Sequence, residues 1–398
     1  MQRIDIKSLI LKILYFFAGA IICLQVVHME RYVSLCFYAT FFLTLIFWTT
    51  AALERLEKLE LWTLLALILA LVNVLINAAL NNYHVSLQYI KKLLSFASAL
   101  LFFTAAYKTE PHKSVGRFIY KVLDLVSLFL ICSFLLRRHQ MYIFNGVVTK
   151  YLTFGFTNPN LTGLFLSGII MLELCRLPSL KRFWPRFFAI CELCFLMYFL
   201  WQTKARNALF AVILFVGLAC LLFLRKEEST RSSKAVAWLT SLWPLLFAAV
   251  YIPLMQIPGI LKLFSFMESS GKSLNSRTQI WTRAMRLWAE SPIFGAYGQG
   301  SSGTGRSQFH NTHIDILVSY GPVVLCIVCF VIYSLIYTGN TRRSRWQQLL
   351  TLGFICQIFL GVGEAAIFSG GLSVYLYAGT FLLLRNLKSS FSLTEASQ

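Results

Sequence analysis

The sequence predicts an all-α, polytopic membrane protein, and three observations carry that prediction. First, the 398 residues are 58% hydrophobic and only 13% charged, a balance that a water-soluble chain of this length does not sustain. Second, the mean hydropathy is +0.68. Third, the apolar residues fall in runs bounded by charges, proline or Asn and Gly, and a helix needs about 20 such residues to cross hydrocarbon.

Twelve runs of this kind lie near residues 9–28, 32–53, 61–80, 90–107, 119–136, 161–175, 187–203, 207–224, 235–255, 322–338, 347–367 and 370–385. The connections between them are short except for 137–160 and 256–321. Unpaired backbone is intolerable in lipid, so irregular polar segments belong in water or in a protein-lined cavity. These two connections are therefore where function is expected, inside one integral-membrane domain spanning residues 1–398.

Lys and Arg set the orientation. With the N-terminus inside, cytoplasmic segments hold 22 basic residues and external ones 14, six of them in the long loop, where the positive-inside bias acts weakly. Both termini are expected in the cytoplasm and the 256–321 loop outside. The first run carries no small-residue cleavage site before the second, so it reads as a retained helix and not a removed signal.

The net charge of +20 could attract nucleic acid, anionic lipid or an anionic substrate. Membrane orientation accounts for much of it and leaves nucleic acid unneeded. What orientation does not explain is the outward positive charge, which includes Lys204, Arg206, Arg277 and Arg306. The ten cysteines fall almost entirely within apolar runs, and the CxxC pairs Cys191/Cys194 and Cys326/Cys329 lack zinc-site partners nearby. They read as small hydrophobes. There is no internal repeat and no phosphate loop of Walker or Rossmann type, and Gly298–Gly305 reads as a flexible surface loop.

Ser276–Pro292 reads as an amphipathic helix at the outer interface. Ser276 with Gln279 forms a capping box, Pro292 is the stop, and Ile280, Trp281, Ala284, Met285, Leu287 and Trp288 share one face. Arg277 is the misfit, because it stands four residues before Trp281 and so lines up with the apolar face. It reads either as a snorkelling arginine bound to lipid phosphate or as a ligand for a phosphate or pyrophosphate. Lys204 and Arg206 bracket a tight outward turn, as interface anchors or as a clamp for the same anion. Asn158 and Asn160 flank Pro159 where turn chemistry explains them as well as sugar recognition does.

In the stretch SQFHNTHIDILVSYGP (307–322), His310 and His313 stand three residues apart at the mouth of the tenth run. That spacing puts both on one side of a helical turn, with Asn311 and Asp315 nearby. A neutral histidine at a water-accessible helix mouth can take a proton from an attacking hydroxyl. The pair also reads as a polar helix cap, and as a metal site it lacks a convincing third ligand unless Asp315 or Glu290 supplies it. Ionisable residues inside the spans are few: Asp124, Glu173, Glu192 and Glu364.

Taken in order, Ser276-Arg277-x3-Trp281, Ser291-Pro-x-x-Gly295, Phe309-His310-Asn311 and Tyr320-Gly321, with Asn158-Pro-Asn earlier, resemble the bacterial O-antigen ligase and O-antigen polymerase superfamily. The twelve spans and the long loop between the ninth and tenth match across the chain. The resemblance implies a metal-independent, inverting glycosyltransferase of the C-type membrane fold in the bacterial cytoplasmic membrane, without a cofactor. Its active site would face outward on the 256–321 loop. Its donor would be an oligosaccharide on undecaprenyl pyrophosphate and its acceptor a lipid-linked repeat or lipid A core, among membrane lipids and with a chain-length regulator as a further candidate partner. Carried over by motif, Arg277 and Arg206 would grip the pyrophosphate and His310 would be the base, while Lys204, Asn158, Asn160, Asn311, His313 and Arg306 would contribute to substrate binding. The chain departs from the family pattern at Lys204-Ala205-Arg206, where Ser or Thr often precedes the arginine. Phe154-Gly-Phe-Thr-Asn-Pro-Asn favours a polymerase of surface polysaccharide over a ligase. Outside the class, a transporter of lipid-linked oligosaccharide remains the alternative, although inverted repeats and broken helices are the usual marks of one.

Overall fold

The computed structural model describes residues 30–50, 58–81, 112–136, 141–144, 147–154, 156, 159–224, 234–258, 275–296, 309–340 and 345–363, together with six isolated helical positions before residue 30. Eleven α-helices lie among these residues. They are α1 (Glu30–Thr50), α2 (Lys58–Asn81), α3 (His112–Leu135), α4 (Pro159–Arg176), α5 (Phe183–Thr203) and α6 (Arg206–Leu224), followed by α7 (Lys234–Leu254), α8 (Asn275–Glu290), α9 (Thr312–Tyr320), α10 (Pro322–Asn340) and α11 (Arg345–Leu360).

Among the described residues, five helical segments are long and apolar enough to cross a membrane: Leu61–Leu80, Pro159–Ser179, Phe183–Thr203, Arg206–Leu224 and Lys234–Leu254. They fall on the third, sixth, seventh, eighth and ninth expected runs. Shorter apolar helices at Leu123–Leu135, Pro322–Tyr337 and Gln348–Leu360 fall on the fifth, tenth and eleventh. The fourth and twelfth runs, and all but isolated positions of the first, lie outside the described residues. The all-α expectation needs one correction. Within 137–160 the chain forms an antiparallel hairpin, β1 (Met141–Phe144) with β2 (Val147–Leu152), carrying a bulge between Met141 and Ile143. The β-branched and aromatic residues Val147, Val148, Thr149 and Tyr151 mark the second strand, a compositional signal that the search for apolar spans passed over.

Local chemistry sets the helix ends. Pro159 opens α4 at the first position, where its missing N–H costs nothing. Lys204 closes α5 in the left-handed conformation, φ 54°, with its N–H donating to the Trp201 carbonyl. Gly321, φ 84°, separates α9 from Pro322 at the head of α10. Inside α7, Pro244 and Pro253 each remove a backbone donor.

α4 is the centre of the bundle, with 72% of its span buried against 22% for α6. α5, α6 and α11 pack round α4, while α10 packs against α2, α7, α9 and α11. Close approach of α4 to the α5–α6 junction depends on Gly163, since a Cβ there would lie 2.3 Å from the Ala205 Cβ. The peripheral helices expose large apolar side chains such as Phe187, Phe188, Phe210, Ile213 and Val250, which suits contact with lipid.

A charged cluster sits at the end of the bundle where α4 finishes. Arg176 bonds Asp124 of α3 and reaches Glu173 one turn back at 3.3 Å, and its guanidinium lies over the Tyr120 ring at 5.3 Å. The ligand oxygens of Asp124, Glu173 and Glu192 lie within 4.8 Å of one another. Arg176 thus serves as the counter-ion for carboxylates on three helices, one of them, Glu173, buried. Removing the cation leaves buried negative charge uncompensated. Arg176→Met is expected to cost about 3 kcal/mol, read as a lower melting temperature of the solubilised protein, while Arg182→Met on the exposed surface leaves it unchanged.

Candidate functional site

Three elements, α7, α8 and α9, enclose a small second core of Ala248, Trp281, Ala284, Ala296, Ile314 and Val318. α8 begins at Asn275, one residue ahead of the expected cap, so Ser276 lies within the helix. Its faces divide as the periodicity predicts: Trp281 and Ala284 are buried, and Arg283, Arg286 and Glu290 are exposed. Trp281 meets Tyr251 and Phe247 of α7 edge to face.

Arg277 and Trp281, one helical turn apart, both reach the turn that precedes α9. Trp281 Nε1 donates to the Phe309 carbonyl at 3.0 Å, and Arg277 Nη1 approaches the His310 carbonyl at 3.5 Å. Arg277 is half-buried, so the misfit position on the apolar face brings its guanidinium to the histidine turn.

His310 has φ 54°, a left-handed conformation that costs a non-glycine residue about 1–2 kcal/mol. Such a conformation persists when its surroundings over-determine it. Here they do so on both sides. The two carbonyls are taken by α8, and the next residue, Asn311, is the N-cap of α9, its Oδ1 accepting from the N–H groups of His313 and Ile314 at 3.0 and 3.1 Å. Asn311 Nδ2 also donates to the Pro244 carbonyl at 2.8 Å, and Asp315 Oδ1 accepts from the Phe309 N–H at 3.4 Å.

The two histidines do not share a helical face. His310 precedes the cap and is half-buried, whereas His313 is in the first turn of α9 and fully buried. His313 Nε2 lies 2.6 Å from the Ser241 carbonyl of α7, so that nitrogen carries the proton, and Nδ1 is a buried acceptor with no hydrogen-bond partner among the described residues. Burial pushes the ring's pKa down, to about 4, more than the Ser241 bond raises it, so the ring is neutral at neutral pH.

The far end of α9 is held as closely. Ala296 N–H donates to the Val318 carbonyl at 2.6 Å, and a Cβ on Gly321 would stand 2.2 Å from the Ile293 carbonyl oxygen. Asn73 and Asn77, one turn apart on α2, donate to the Tyr320 carbonyl (2.6 Å) and to the Gly295 carbonyl, with Asn77 also 3.3 Å from Ser291 Oγ. Hence Arg277–Trp281 meets Phe309–Asn311 at the start of α9, and Ser291–Gly295 meets Tyr320–Gly321 at its far end.

The remaining residues sit on the neighbouring half of the same end. Thr312 N–H donates to the Gly361 carbonyl at 2.8 Å, and a Cβ on Gly363 would overlap the Asn207 side chain, so the turn after α11 links α9 to the start of α6. Arg206, exposed, is the first residue of α6. Lys204 lies with Nζ over the Trp201 ring at 4.9 Å, the posture of an interface anchor. Asn160 is in the first turn of α4, half-buried. Asn158, Arg306, Glu364 and Gly298–Gly305 lie outside the described residues. The grouped carboxylates Asp124, Glu173 and Glu192 belong to the opposite end of α4 and do not join the histidines.

Sequence reading missed Asn73, Asn77, Ser241, Pro244 and the Gly361–Gly363 turn. Two asparagines at i, i+4 in an otherwise apolar span, and a proline inside another, are the signals that would have found them. No family model matches the chain, and no curated protein matches it.

Gly321→Ala is expected to lower the melting temperature by several degrees, because a side chain there meets both a left-handed φ and the Ile293 carbonyl. Gly217→Ala on α6, where nothing lies within 4 Å, is expected to leave it level or raise it.

Proposed function

We propose that the chain is an integral-membrane glycosyltransferase of the O-antigen ligase and polymerase type. In this reading it moves an oligosaccharide from undecaprenyl pyrophosphate to a sugar hydroxyl at the outer face of the cytoplasmic membrane, chiefly to polymerise surface-polysaccharide repeat units. The observation that carries it is the pairing of the four motif segments across α9, Arg277–Trp281 with Phe309–Asn311 at its start and Ser291–Gly295 with Tyr320–Gly321 at its far end, beside long apolar helices.

Each role follows from chemistry. Pyrophosphate is already a good leaving group, so the protein has mainly to hold its charge, orient the anomeric carbon and supply a base on the opposite face. Arg277, backed by Arg206, carries the charge, since a guanidinium presents a fixed fork of donors to phosphate oxygens. His310 takes the proton from the acceptor hydroxyl as its oxygen bonds the anomeric carbon. The bond to pyrophosphate breaks on the far side, with inversion. The left-handed turn turns His310 out of the helix that follows, while α8 holds its backbone. Lys204, Asn158, Asn160 and Arg306 are left to the sugars and the lipid surface, while Asn311, buried and bonded at both ends of its amide, serves as the cap of α9.

Removing one well-placed charge donor typically costs about 100- to 1,000-fold in rate. Arg277→Ala and His310→Ala are each expected to drop below detectable product when purified protein in nanodiscs is given the lipid-linked oligosaccharide. Near wild-type turnover by inserted protein would end those assignments. A ladder from donor alone identifies a polymerase, and transfer only after lipid A core is added identifies a ligase. His310→Gly adds a separate check: glycine adopts φ 54° freely, so this variant should melt no lower than wild type and still make no product.

A further inference from the structure

The approach of α9 to α7 is unusual for two packed helices, because it is made through side-chain donors onto main-chain carbonyls. Pro244 lacks an N–H, so the helix around it has one donor fewer than it has carbonyls. A helical carbonyl also keeps a second lone pair. Two of these carbonyls, those of Ser241 and Pro244, accept from His313 Nε2 at 2.6 Å and Asn311 Nδ2 at 2.8 Å. The two donors stand on either side of Thr312, immediately after His310.

His313 is an expensive choice for a packing residue. It is fully buried, and its Nδ1 has no partner among the described residues, which costs about 1–3 kcal/mol for a stranded acceptor. A leucine would fill the space without that cost. The imidazole is accounted for by what its other nitrogen does.

We propose that His313 is a positioning residue, whose Nε2–H bond to the Ser241 carbonyl seats the His310 turn against helix α7. Asn311 caps α9 and fixes the direction in which the chain leaves His310; His313 fixes how deep that cap sits along α7. With both bonds made, the left-handed residue between α8 and the cap has little freedom left. Loss of the His313 bond lets the cap shift along α7 and moves the His310 ring relative to Arg277, with the anion site on α8 untouched. This rests on the reading of His310 as base, and it assigns His313 to orientation and not to substrate contact.

The test separates binding from turnover. Wild type, His313→Leu, His313→Gln and His310→Ala are placed in nanodiscs. Binding is measured with undecaprenyl pyrophosphate, and turnover with lipid-linked oligosaccharide extracted from the bacterium that carries this chain. His313→Leu is expected to bind with wild-type Kd and stoichiometry while turnover falls by about 100-fold, the order expected from an ångström-scale misplacement of a reacting group. His313→Gln, whose amide donates from the place of Nε2, is expected to recover most of the turnover. If His313→Leu fails to insert, His313→Asn replaces it, its amide being too short to reach Ser241.

Wild-type turnover by His313→Leu overturns the inference. So does a fall in turnover matched by an equal fall in binding stoichiometry, which marks a purely structural residue, or a His313→Gln no better than the leucine variant. His310→Ala with full turnover would overturn the underlying reading and this inference with it, whereas loss in His310→Ala beside full turnover in His313→Leu overturns the inference alone.

Discussion

Non-helical backbone inside an apolar bundle has no water to bond to, and the arrangement around α9 follows from that constraint. The chain makes three irregular turns there, at 291–296, 309–311 and 361–363, and each is bonded from a neighbouring element. Asn73 and Asn77 supply the first turn and the end of α9, Trp281 and Arg277 the second, and the Thr312 N–H the third. A set of polar side chains, most of them on apolar helices, thereby holds the turns around α9 in place.

The same constraint explains what the sequence made legible. Apolar runs bounded by charge predicted α2, α4, α5, α6 and α7, because a membrane demands length and hydropathy in one stretch. The 3.6-residue periodicity predicted the faces of α8, whereas the contact of Arg277 with the His310 carbonyl was not foreseen by it. Local spacing misled at His310 and His313, since the helix there starts only at Thr312 and a left-handed residue separates the two rings. Nothing within 307–322 carries that information. It lies in the carbonyls of α7, about 70 residues earlier in the chain, where Ser241 and Pro244 accept the donors of the cap. The hairpin at 141–152 was hidden for a simpler reason: strands of four and six residues do not register when the template sought is a span of about 20 apolar residues.

Charge divides between the two ends of the bundle. At one end Arg176 is spent on Asp124 and Glu173, an internal pairing that ties α3 to α4 and leaves little for a ligand. At the other, Arg206 is exposed at the start of α6 and Arg277 reaches the His310 carbonyl.

The most direct test of this account is a structure determined with undecaprenyl-pyrophosphate oligosaccharide bound. The account predicts the pyrophosphate against Arg277 on the side of Arg206, with the first sugar beside the His310 ring and His313 still bonded to Ser241. Donor lying at the Arg176 end of the bundle, or pyrophosphate held away from Arg277 with His310 turned from the sugar, would contradict it.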